Sequence, residues 1–380
     1  MGPFTFLFVF SLFAIAVKMA QRSQNKWLYS STAEALGMTY FPGGMLSAPV
    51  LQGVHDRTAV RIEYLTRSEG KKQKPYTKIV AVGVAPGLRF EGEGFGILKV
   101  FTGADHATGD EGFDRAVLVR GEVALLQALL DQDTRRALQR AIADHKVVVN
   151  DESVVVELET HENGIDLVQA MLRTVAGLAQ RLGDPGQQGL AAKLARNVRS
   201  DQEPLVRLAC LRALADDHGG PAAAAAAQGA LDDDDARVAL LAARIRGETA
   251  RFEAASVEAL RAYAPHDPDG LARTLVKLGD PEPLMALLEL QDSAVRVAAL
   301  HGLARIGTPD HVLTILPLSK GLFGDDAVKT AARGAVESIQ ARVGAGAGGR
   351  VTLAEAGGEV SLAAEPGRVS VVTPRGRERE

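Results

Sequence analysis

DSAVRVAALHGLARIG, residues Asp292 to Gly307, decides how the rest of the chain reads. Val295, Ala298, Ala299, Leu300 and Leu303 recur at helical spacing, Asp292 stands where an N-cap belongs, and Gly307 follows as a stop. The inner fragment VRVAALHGL, Val295 to Leu303, serves as a ruler. Looser copies are VRLACLRAL from Val206, ARVALLAAR from Ala236 and VKTAARGAV from Val328. Each carries a cation with alanine two places on: Arg207 with Ala209, Arg237 with Ala239, Arg296 with Ala298 and Lys329 with Ala331. Successive copies are offset by 30, 59 and 33 residues, so the long gap holds two periods and predicts a degenerate copy near Gly270 to Leu278. A unit of this length cannot bury its apolar face alone and becomes stable by stacking on its neighbours.

With an acidic residue, a Val-Arg pair, Ala-Ala-Leu and a Leu-Ala-x-x-Gly ending, the repeat resembles the HEAT family in its short bacterial form. The resemblance covers roughly Asp201 to Val343. It implies an α-solenoid of helical hairpins whose concave face binds proteins, with a minority of relatives binding or attaching chromophores. On that reading Arg207, Arg237, Arg296 and Lys329 either stitch neighbouring repeats through acidic residues and helix ends or form a partner-binding stripe.

The chain's 380 residues suffice for two or three domains, and a formal net charge of −4 gives no reason to expect nucleic acid. The basic cluster of Arg67, Lys71, Lys72 and Lys74 sits between two strand-like runs and reads as a solvated hairpin loop. A single cysteine, Cys210, excludes an internal disulfide and a cysteine-based zinc cluster. Its Ala- and Leu-rich surroundings predict a buried thiol rather than a nucleophile.

Pro3 to Val17 is almost wholly apolar, and no charged side chain precedes Lys18. Extended to Ala20, the run is long enough to cross a bilayer core of about 30 Å as a helix. It lacks the basic residues that open a signal peptide, and a helix apolar on every face at the N-terminus has little to bury against. An uncleaved anchor over residues 1–20 is therefore expected. Lys18, Arg22 and Lys26 follow it, which places the bulk of the chain in the cytoplasm of a bacterial cell, on a single-pass inner-membrane anchor.

Residues 27–160 change to mixed strand and helix. Thr58 to Thr66 alternates with Val60, Ile62 and Tyr64 on one face, and Tyr76 to Val84 answers it as the second arm of an antiparallel hairpin. Met38 to Phe41, Phe95 to Phe101 and Arg115 to Val119 read as further strands, Val123 to Ile142 as one amphipathic helix, and Lys146 to Val149 with Ser153 to Leu158 as a closing hairpin. The segment TGDEGFDRAVLV, Thr108 to Val119, resembles bacterial membrane-tethered α+β domains of no established activity, in which a Phe-Asp pair, here Phe113 and Asp114, opens a strand. Residues 161–200 read as linking and capping helices, ahead of the solenoid over 201–343. The tail, 344–380, repeats Gly349, Gly358 and Gly367 with Val351, Val360 and Val369, and is expected to be mostly flexible, since three short apolar runs bury too little to offset ordering entropy.

No residue is singled out as catalytic, cofactor-binding or metal-ligating. Gly92, Gly94 and Gly96 lack the Lys-Ser/Thr of a phosphate loop. Asp105, His106, Asp110 and Glu111 read as a polar loop before a metal site, His266 to Gly270 as a capped turn, and Asp232 to Asp235 as helix-capping carboxylates. The expected architecture is an α+β domain followed by an all-α HEAT-like solenoid, with one N-terminal transmembrane helix. The expected function is a non-enzymatic, membrane-anchored scaffold for a protein partner, without cofactors. Binding or lyase-type modification of a small molecule or chromophore is the first alternative, and a structural role in the envelope the second.

Overall fold

A computed structural model describes residues 26–43, 48–69, 72–92, 106–159, 164–218, 220–320 and 325–346. The chain divides after Ala230 into two compact units. The first carries an antiparallel sheet with helices and the second is helical, an α+β part followed by an all-α part. Among the described residues no helix is long and apolar enough to cross a membrane; the segment 1–20, the strand expected at Phe95 to Phe101 and most of the tail lie outside them.

In the first unit, helix α1 (26–35) precedes five strands: β1 (Thr39–Phe41), β2 (Val50–His55), β3 (Thr58–Glu69), β4 (Lys72–Val82) and β5 (Arg89–Gly92). Then come α2 (Glu111–Ala116), β6 (Val117–Arg120), α3 (Val123–Leu129), α4 (Gln132–His145), β7 (Val148–Asn150) and β8 (Ser153–Leu158). The strands form one sheet in the order β1-β2-β3-β4-β8-β7-β5-β6, every neighbouring pair antiparallel. Period-two alternation separates its faces. Val60, Ile62 and Tyr64 pair with Ala81, Ile79 and Thr77 and are buried, as are Val154 and Val156 beyond them. Between these positions Arg61, Glu63, Lys78 and Glu157 occupy the other face, where Arg67 grips Glu157 in a two-point hydrogen bond across β4.

Helix α5 (Ile165–Arg181), read from the sequence as part of the connection to the solenoid, instead covers the buried face of the sheet. Its Val168, Met171, Leu172, Val175 and Leu178 join the core, and Tyr29 of α1 stacks on Tyr64 with ring centroids 3.9 Å apart. Two further expectations are corrected. The helix expected from Val123 to Ile142 is broken at Leu130, because Asp131 accepts the Thr134 amide and caps a new helix, α4. Phe113 and Asp114 lie in α2 ahead of the strand: Asp110 caps that short helix, and Asp114 receives the amide and hydroxyl of Thr108.

Helices α6 (Gly186–Ser200), α7 (Pro204–Ala213) and α8 (Gly220–Ala230) complete the first unit, with one π-helical turn, Leu214–His218, after α7. The second unit consists of α9 (Ala236–Arg246), α10 (Ala250–Glu253), α11 (Val257–Tyr263), α12 (Pro268–Leu278), α13 (Glu282–Leu287), α14 (Ser293–Ile306), α15 (Pro309–Lys320) and α16 (Asp326–Gly346). The sequence copies fall on α7, α9, α14 and α16, and the degenerate one on α12. Packing is sequential: α12 lies on α14 and α14 on α16. Asp235, Asp267 and Asp292 each accept an amide of the first turn that follows, so one inexpensive signal starts helix after helix.

Candidate functional site

The four cations of the repeat meet two kinds of partner, carbonyls at the end of the preceding helix and an aspartate a few residues earlier. Arg207 is buried and donates to the Asp201 and Gln202 carbonyls at the end of α6. Arg296 donates from Nε to the Leu288 carbonyl at the end of α13. Arg237 closes on its own cap, gripping both oxygens of Asp235 at 2.9 and 2.7 Å, and Lys329 reaches Asp326 three residues earlier at 3.2 Å. Hydrogen bonding to Arg237 outweighs burial and holds the Asp235 carboxyl below its usual range.

Arg207 leads into a buried polar cluster that joins the sheet's helices to α6 and α7. At its centre Arg135, 1% exposed, donates through Nη1 and Nη2 to the two oxygens of Asp201 at 2.9 and 3.0 Å. Nη1 also reaches the Leu130 carbonyl left open by the break between α3 and α4, at 2.7 Å, and Nε reaches Asp110 at 2.8 Å. Burial alone would raise the pKa of Asp110; its hydrogen bonds from Arg135 and from the Phe113 amide outweigh that and hold it low. Beside this pair, Asn197 donates to the Gln127 carbonyl and Gln127 to the Thr108 carbonyl. Each charge is matched and hydrogen-bonded, the condition under which a buried ion pair is tolerable.

Cys210 lies under the same cluster, fully buried, its sulfur 3.4 Å from the Gln127 carbonyl. Burial pushes its thiol strongly upward, which keeps it protonated and poorly nucleophilic. Of the loop weighed as a metal site, Asp105 lies outside the described residues and Asp110 is committed to Arg135 and to capping α2. Among the described residues no group of three His, Cys, Asp or Glu is placed to hold a metal. Asp267 receives the Gly270 amide and the Tyr263 hydroxyl and forms an ion pair with Arg244, as a cap tied to two neighbours.

The second unit offers a groove of about 650 Å³ between α14 and α16. Val297, His301 and Ala304 line one wall, and Ala327, Thr330, Ala331, Gly334, Ala335 and Ser338 the other. Ala331 and Ala335 are buried at its floor while His301, Thr330 and Ser338 are exposed at its rim. A Cβ added at Gly334 would meet nothing within 4 Å, so the backbone of α16 itself is open to a visitor. An apolar floor with hydrogen-bonding edges suits a side-chain ridge of another polypeptide better than a reaction.

The sequence reading named Ala331 of the groove, as a repeat position beside Lys329, and assigned no groove to it or its neighbours. Their only signal was the small-residue spacing of Ala327, Ala331, Gly334 and Ser338 on α16, which also fits ordinary close packing. No family model, curated protein or solved structure matches this chain.

Proposed function

We propose that the protein is a membrane-anchored scaffold whose HEAT-like helical stack holds a partner protein in the groove between α14 and α16. Residues 1–20 would supply the anchor and place the remaining chain in the cytoplasm. The groove is the observation that carries the reading: about 650 Å³ of open space over small side chains, flanked by His301, Thr330 and Ser338. The occupant that fits is an amphipathic helix, whose apolar ridge can approach α16 closely because Gly334 and its alanines leave room. Asp326, exposed at the head of the groove, favours a basic residue at the matching end of that helix.

A photo-crosslinking amino acid at Thr330 of the full chain, activated in cells, is expected to trap one dominant protein. Gly334→Trp fills the groove without touching the core and should abolish the adduct without lowering the melting temperature. Absence of any protein adduct, or an adduct indifferent to Gly334→Trp, would overturn the proposal.

A further inference from the structure

A second groove, of about 360 Å³, runs between α4 and α5 in the first unit. Ala137, Arg140, Ala141, Asp144 and His145 line it from one side, and Arg173, Thr174, Gly177, Leu178 and Arg181 from the other. Three arginines therefore face one carboxylate. Elsewhere several arginines spend their terminal nitrogens on acids, Arg67 on Glu157, Arg89 on Asp151, Arg135 on Asp201 and Arg237 on Asp235, or on backbone carbonyls, as Arg207 and Arg342 do. In the groove Arg140 and Arg173 each spend only Nε, on the Arg136 and Gln169 carbonyls of their own helices. That leaves the terminal nitrogens of both forks without an acceptor among the described residues.

Helix-end electrostatics do not account for the arrangement. Arg181 and His145 sit in last turns, where a cation complements the helix dipole. Arg140 lies more than a turn before the end of α4, and Arg173 two turns before the end of α5. Gly177, between Arg173 and Arg181 on α5, leaves its backbone uncovered, with nothing within 4 Å of an added Cβ. A planar guanidinium fork matches phosphate oxygens two at a time, and two forks on opposite walls of a concave site suit a dianion.

We propose that the α4–α5 groove binds a phosphate-bearing ligand, held between Arg140 of α4 and Arg173 and Arg181 of α5. The chemistry fits a free phosphate or pyrophosphate compound and equally the headgroup of an anionic lipid. Asp144 limits the site to ligands with enough negative charge to outweigh it, while the three arginines disfavour cations as occupants. This assignment is independent of the partner groove on α14 and α16.

Calorimetry on the purified full chain tests it with three probes: inorganic phosphate, pyrophosphate and short-chain dihexanoyl phosphatidylglycerol. Saturable binding of at least one is expected, and it should weaken at higher salt. Arg140→Gln with Arg173→Gln removes two charge-assisted contacts from exposed positions, and should weaken binding by about a hundredfold with an unchanged melting temperature. Gly177→Glu, which supplies the missing carboxylate from within, should also block binding, whereas Arg305→Gln on another helix should not. Preference for pyrophosphate assigns a soluble ligand, and preference for the lipid analogue assigns a headgroup. No saturable binding of any probe, or undiminished binding by the double variant, would overturn the proposal.

Discussion

Arg135 shows most directly how a single side chain can hold this fold together. Its guanidinium is matched by two carboxylates and a carbonyl, and Asp201, its principal partner, is itself almost fully buried. Arg135→Met keeps much of the aliphatic volume but strands the Asp201 charge and the Leu130 carbonyl away from water. Removing one partner of such a pair costs about 3 to 5 kcal/mol, a large part of a domain's net stability. Urea unfolding followed by circular dichroism should report a loss of that size. Its pH dependence supplies the sign. Asp110 has a folded pKa held below its unfolded value of about 3.9, so its contribution is complete above that value and disappears as pH falls through the folded pKa. The wild-type protein should lose stability on acidification below about pH 4, and Arg135→Met should lose less over the same range, having already lost the partner that depresses Asp110. Parallel acid profiles for the two proteins would remove Arg135 from this role.

Among the elements, those legible from sequence are those fixed by local rules. Alternation in Thr58 to Thr66 gave the β3–β4 hairpin, and aspartate caps with apolar spacing gave α9, α14 and the degenerate α12 of the second unit. Local rules failed where distant residues decide. The break between α3 and α4 looks like continuous helix because Leu125 to Leu138 keeps its apolar spacing, yet the freed Leu130 carbonyl is repaid by Arg135. The pairing of Arg135 with Asp201 joins residues 66 apart, and nothing in either neighbourhood announces it. Both grooves are likewise products of helix faces brought together by packing. The TGD loop is an element where the two kinds of constraint meet. Gly109 has φ of +97°, and an added Cβ would come within 2.8 Å of the Leu205 carbonyl carbon at the start of α7. Strain in such a backbone region costs about 1 to 3 kcal/mol, and here backbone, which cannot rotate aside, blocks the new atom. Gly109→Ala should therefore lower the melting temperature clearly. Gly334→Ala, in an open mid-helix position, should raise it slightly, by an amount equivalent to about 0.5 to 1 kcal/mol. A tolerated Gly109→Ala would mean that the loop does not rest on α7.

At the scale of the whole molecule, the end of the sheet is not the end of the first folding unit. Composition changes near residue 160, where the last strand finishes, but the core does not finish there. Val168, Met171, Leu172, Val175 and Leu178 of α5 are buried on the sheet, and losing their burial at about 1.5 to 3 kcal/mol each is comparable with the entire stability of a domain. A fragment of residues 26–160 should therefore fail to melt cooperatively. A cut after residue 200 restores α5 and α6 but removes Asp201, leaving Arg135 charged, buried and without its principal partner, and takes away α7, which packs on α3. That fragment should fold with a lowered midpoint. Only residues 26–230, which close the Arg135 cluster and include α8 against α6, should melt as a single sharp transition at the highest temperature of the three. Circular dichroism melts of the three fragments give the order directly. If 26–160 unfolded as sharply and as late as 26–230, the sheet would be self-sufficient, and the buried Arg135–Asp201 pair would be an accessory to the unit rather than the bond that completes it.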